Sequence, residues 1–259
     1  FTLVLLVGVF GLTRELAGEV GRRHGLETTH LGLWSCVIVL LTPPLLGSSL
    51  YFHLDYPLVG MVAVGLYLLV LTRGFTRRLA TINFAIWSVL GLWIKLTYAL
   101  YLAIPAAVLL GALLLKRRWA RAGETAVVAL LATALTIWFQ GIDLATLATE
   151  MQSHAARPLY SGHEDQESGT LRWAVLPLIL TWYAYPWALL LPALPGLGLA
   201  HLKGRITSRR LLVLTAIWGP VLLLCLLSNR MERYMHPVYP LLGILTVLGV
   251  AALLPRRLR

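Results

Sequence analysis

Residues 96–121 read LTYALYLAIPAAVLLGALLLKRRWAR. Leu96 to Leu115 is an uncharged apolar run, about the length a helix needs to cross a bilayer. Lys116, Arg117, Arg118 and Arg121 follow at once. An apolar run closed by a cationic turn is how a membrane span ends on the cytoplasmic side. Working outward in both directions, the pattern repeats. Arg14, Arg22 and Arg23 fall in one gap, Arg73, Arg77 and Arg78 in another. Lys203, Arg205, Arg209 and Arg210 fill a further gap, and Arg256, Arg257 and Arg259 the tail. These alternate gaps take most of the 22 lysines and arginines. The gaps between them hold Lys95, Arg157, Arg172, Arg230 and Arg233.

Composition agrees. The chain is 58% hydrophobic and 13% charged, with mean hydropathy +0.77. A soluble domain carries about 25% charged residues. Backbone groups in hydrocarbon need internal partners, so the spans are expected to be helices. A membrane barrel would show short alternating segments, whereas these runs are continuously apolar. The fold class expected is all-α, a multi-pass transmembrane helical bundle. It has nine apolar segments: 1–12 (partial), 31–52, 56–72, 79–94, 96–115, 124–140, 173–199, 211–227 and 237–254, about eight full spans and one partial. Residues 141–172 form one long outer loop of this single transmembrane domain. The net charge of +11 is then spent on cytoplasmic anchors, and no nucleic-acid partner is expected. The chain opens on Phe1 inside an apolar run, without the basic region of a signal peptide. An upstream span and outer loop are expected to precede it.

Cys36 and Cys225 both lie in apolar runs and read as packed thiols. Pro43-Pro44 and Pro177, Pro186, Pro192 and Pro195 interrupt apolar runs, and Pro57 and Pro237 sit in first turns. Tyr51, Tyr56, Trp93, Tyr98, Tyr101, Trp182, Tyr183, Tyr185 and Trp187 read as an interfacial aromatic belt. His154, Arg157, His163, Glu164 and Asp165 match no zinc spacing, and no metal is expected. No phosphate-binding glycine fingerprint occurs.

Removing the cations that topology explains isolates Lys95, Arg230 and Arg233. Lys95 is the only charge between Leu79 and Lys116. It reads either as an interfacial lysine or as a phosphate holder. Asp55, in His53-Leu-Asp55-Tyr-Pro57, reads as a helix cap, as a carboxylate facing a polar cavity, or as both. Residues 228–240, SNRMERYMHPVYP, hold Arg230, Glu232, Arg233 and His236. Arginine forks suit phosphate oxygens; the alternative is a self-neutralising Arg–Glu–Arg turn.

Three segments in order carry a resemblance. Arg233-Tyr-Met-His-Pro237-Val-Tyr-Pro240 resembles the "RY, two residues, P, two residues, P" segment of polytopic GT-C glycosyltransferases of the protein O-mannosyltransferase and aminoarabinose-transferase-like type. Gly91-Leu-Trp-Ile-Lys95-Leu-Thr-Tyr98 is similar to their "G-L-x-x-K-x-T/P" segment. Leu54-Asp55-Tyr-Pro57-Leu58 looks like their "D-x-P-L". The resemblance covers about residues 1–255. It implies transfer of a sugar from a polyprenyl-phosphate carrier to a lipid, glycan or protein acceptor, on the non-cytoplasmic face of the cell inner membrane. No cofactor is implied beyond that lipid-linked donor. Lys95, Arg230 and Arg233 would hold the phosphate, and Tyr98 and His236 would line the pocket. Asp55 would be a supporting carboxylate, with the main base upstream of Phe1. Two other classes compete: a transporter or lipid-linked-sugar flippase, which predicts repeated halves and charges near the midplane, and a non-catalytic partner in envelope polysaccharide assembly.

Overall fold

A computed structural model describes residues 1–24, 27–50, 55–141, 149, 207–226 and 232–253. Among these residues the ordered elements are all helical: α1 (Thr2–His24), α2 (Thr28–Leu40), α3 (Pro43–Leu50), α4 (Asp55–Leu71), α5 (Arg78–Ile94), α6 (Tyr98–Leu115), α7 (Trp119–Gln140), α8 (Thr207–Leu226), a 3-10 helix (Glu232–Val238) and α9 (Tyr239–Leu253).

Most apolar segments become helices at the expected places, and three differ. The run 31–52 is two helices, because Pro43 and Pro44 lack the N–H groups that would continue α2. The first segment is longer than its apolar part. α1 continues to His24, past Arg14, Glu15, Glu19, Arg22 and Arg23. Those residues favour helix but are unsuited to hydrocarbon. The last segment is entered through the 3-10 helix, which runs directly into α9. Segment 173–199 and nearly all of the loop 141–172 lie outside the described residues.

Three described stretches are long and apolar enough to cross a membrane: Tyr98–Leu115, Trp119–Phe139 and Met235–Leu253. Thr28–Leu40, Asp55–Leu71, Arg78–Ile94 and Leu211–Leu223 are apolar but shorter. These lengths mark the chain as membrane-associated. The Met235–Leu253 stretch is 78% buried and Trp119–Phe139 only 17%. α9 is therefore a central helix, whereas α7 turns Leu130, Leu131 and Trp138 outward. An outward apolar face of this kind suits lipid as the solvent.

Close helix approaches set the directions. Leu5 faces Gly60, Gly8 faces Val64 and Gly11 faces Tyr67, so α1 and α4 run parallel. The Thr2 and Tyr56 hydroxyls meet at 3.1 Å at their common starting end. α2 returns antiparallel to α1: Gly32 lies on Phe10, and the Cys36 thiol donates to the Leu6 carbonyl at 3.6 Å. α5 runs antiparallel to α4, with the Trp87 indole donating to the Met61 carbonyl at 2.9 Å. α7 runs parallel to α5, since Arg78 pairs with Glu124 and Trp93 packs on Phe139. The starts of α1, α4 and α6 therefore share one end of the bundle with the ends of α5 and α7. The α4–α5 and α6–α7 turns, which carry Arg73, Arg77, Arg78 and Lys116–Arg118, share the other.

The belt reading needs correction for three rings. Tyr56, Tyr98 and Tyr101 are buried, the last two at 1% exposure, while Trp93 remains exposed. Helix packing claims these tyrosines before the interface can. Tyr51, Trp182, Tyr183, Tyr185 and Trp187 lie outside the described residues.

Candidate functional site

The end of the bundle away from the basic turns holds the residues singled out by charge. Asp55 is the first residue of α4 and is buried. Lys95 directly follows α5. Its N–H still bonds the Gly91 carbonyl at 3.1 Å, while its own backbone is already extended (φ −161°, ψ 126°). The chain then reverses in three residues, with the Tyr98 N–H on the Lys95 carbonyl at 2.9 Å. This turn swings Lys95 back across the antiparallel α4–α5 pair. Its ammonium donates to Asp55 Oδ1, joining positions 40 residues apart in the chain. The Asp55 side chain is 5% exposed and that of Lys95 27%, so one partner is sealed and the other still meets the surface.

A buried carboxylate is costly without a cation. The pair therefore satisfies Asp55, and it holds one ammonium at a defined place on the bundle end. Asp55 lies in the first turn of α4, and Lys95 sits at a helix end, but each is also bound to the other.

Tyr98 contributes differently from expectation. Its ring fills a slot between α4 and α5. A Cβ at Gly91 would stand 2.5–2.7 Å from the ring, and a Cβ at Gly65 would stand 2.5 Å from the hydroxyl. The hydroxyl approaches Ser88 without meeting hydrogen-bond geometry. Tyr98 is packing that fixes the Lys95 turn, and it lines no open surface. Gly65 and Gly91 went unnoticed in this role because a close approach between helices leaves no mark on local sequence.

His236 lies on the 3-10 helix, which packs against α4, and is buried with its ring 6.0 Å from that of Tyr239. Met235 and Val238 are buried on either side of it. Arg233 belongs to the same 3-10 helix; its side chain, and the whole of Arg230, lie outside the described residues. So do His154, Arg157, His163, Glu164 and Asp165. Among the described residues no group of three His, Cys, Asp or Glu side chains is placed to hold a metal.

Compared with protein-family models, curated proteins and solved structures, the chain matches none.

Proposed function

We propose that the chain is the membrane-embedded part of a glycosyltransferase that takes its sugar from a polyprenyl-phosphate carrier. The observation that carries this reading is the Asp55–Lys95 pair: an ammonium held by a sealed carboxylate, at the bundle end opposite the basic turns. The 3-10 helix with Arg233 and His236 packs on the same helix that begins at Asp55. In this reading the basic turns face the cytoplasm and the pair faces the opposite side, within an eight-span bundle.

The chemistry follows from the charges. The bond between the sugar C1 and the phosphate oxygen breaks, and its electron pair stays on polyprenyl phosphate. The acceptor oxygen or nitrogen bonds to C1 and gives its proton to a base. Lys95, with Arg230 and Arg233, stabilises the charge that develops on the departing phosphate. Asp55 orients Lys95 and is too engaged with it to serve as the free base. Tyr98 holds the turn on which Lys95 stands. The acceptor is a lipid, glycan or protein hydroxyl or amine.

The test uses full-length protein in vesicles and a panel of polyprenyl-phosphate hexoses and pentoses, with released polyprenyl phosphate as the readout. The double variant Asp55→Asn/Lys95→Gln keeps the shape and removes both charges, so folding is expected to survive. Its release rate should fall by about 10²–10³-fold, as for loss of one preorganised electrostatic contact. A wild-type rate in that variant would remove the pair from the site. No release from any donor by the wild type would remove the reading itself.

A further inference from the structure

The opposite end of the bundle carries a second assembly, which the proposed reaction does not use. Arg73, Arg77 and Arg78 lie on the α4–α5 turn and at the start of α5. Lys116, Arg117 and Arg118 form the α6–α7 turn, and Arg121 opens α7. One carboxylate ties the two groups together. Glu124 accepts from Arg78 Nη2 at 2.7 Å and from Arg121 Nη1 at 2.7 Å. Arg73, Arg77, Lys116, Arg117 and Arg118 are exposed and make no ion pair among the described residues.

The backbone of these turns is held in place. Arg73, Gly74 and Phe75 are all left-handed (φ 50°, 69° and 59°), as is Arg117 (φ 55°). Such residues persist only where the surroundings enforce them. Here Phe75 is buried against Phe84, and its N–H bonds the Thr72 hydroxyl at 3.1 Å. Sinking Phe75 leaves Arg73 and Arg77 facing outward. Beside the cations stand exposed apolar side chains on the same elements: Leu79 (73%), Leu115 (87%) and Trp119 (65%). Cations flanked by exposed leucine and tryptophan match the depth at which a bilayer passes from headgroup to acyl chain.

We propose that the α4–α5 and α6–α7 turns together bind the headgroup of an anionic phospholipid, with Leu79, Leu115 and Trp119 against its acyl chains. Topology alone accounts for the sign of these turns. It does not account for a carboxylate that clips two distant cationic turns into one surface, beside five cations that make no ion pair among the described residues. The apolar rim selects a lipid over a free anion. The proposal is independent of the glycosyltransferase reading.

Purified full-length protein in neutral detergent is titrated with phosphatidylglycerol or phosphatidylcholine, and bound lipid is counted by native mass spectrometry. The wild type should prefer phosphatidylglycerol. The preference should fall on the order of tenfold or more in Arg73→Gln/Arg77→Gln/Arg117→Gln/Arg118→Gln. Equal preference in the two proteins overturns the proposal, as does displacement of the lipid by millimolar inorganic phosphate. Loss of cations can also disturb membrane insertion, so a second measurement uses the natural charges. Acyl-brominated phosphatidylglycerol should quench the fluorescence assigned to Trp119, taken as wild type minus Trp119→Phe, more than brominated phosphatidylcholine does. Equal quenching by the two lipids overturns it.

Discussion

Asp55 and Lys95 show why one buried charge implies another. A carboxylate sealed at the start of α4 would be costly alone, and the ammonium that satisfies it comes from the far side of a helical hairpin. The position of that ammonium rests on uncharged neighbours. Gly91 leaves room for the Tyr98 ring, and the ring fixes the three-residue turn that carries Lys95. Gly91→Ala places a methyl within 2.7 Å of the ring. It should destabilise the protein by about 1–3 kcal/mol, as overpacking does, and weaken Lys95-dependent activity beyond the loss of folded protein. Thermal unfolding in detergent and the release assay at a permissive temperature check the two parts. Lys95 was legible in the sequence because it interrupts a long uncharged stretch. Its pairing with Asp55 was not, since nothing local relates positions 40 residues apart. Tyr98 was misplaced for the same reason: a tyrosine near a span end reads as interfacial until the helix beside it supplies a glycine slot.

Helices in lipid gain little from burying apolar surface against one another, so their contacts depend on close fit. The α1–α4 interface follows that rule, with Gly8, Gly11 and Gly60 at the crossing. A Cβ on Gly8 would stand 2.6 Å from the Val64 amide nitrogen, and that backbone cannot rotate aside. Gly8→Ala should cost about 1–3 kcal/mol. Gly111 in α6 has nothing within 4 Å of its Cβ position. Gly111→Ala should therefore be neutral or stabilise by up to about 1 kcal/mol through helix propensity. Comparing the two melting curves tests whether the α1–α4 interface governs stability: equal shifts would contradict it. Element boundaries were largely legible from apolar runs and prolines. The extent of α1 was not, because its second half is helical without being apolar.

For the whole molecule, the alternating basic gaps stated a direction, and the helix contacts place the two cationic turns at one end and the Asp55–Lys95 pair at the other. Cysteine labelling tests whether these ends face opposite compartments. In a Cys36→Ala/Cys225→Ala background, Ala120→Cys and Leu96→Cys each present one exposed thiol. An impermeant reagent added outside intact cells should label Leu96→Cys, and Ala120→Cys only after lysis. Labelling of both from the same side would overturn the arrangement.

The central claim is that the Asp55–Lys95 end holds a lipid-linked phosphate, and binding of polyprenyl phosphate tests it without knowledge of the sugar. Full-length protein in detergent should bind farnesyl phosphate and discriminate it from farnesol. The Asp55→Asn/Lys95→Gln variant should lose that discrimination while melting as the wild type does. Equal binding of farnesyl phosphate by both folded proteins would contradict the account.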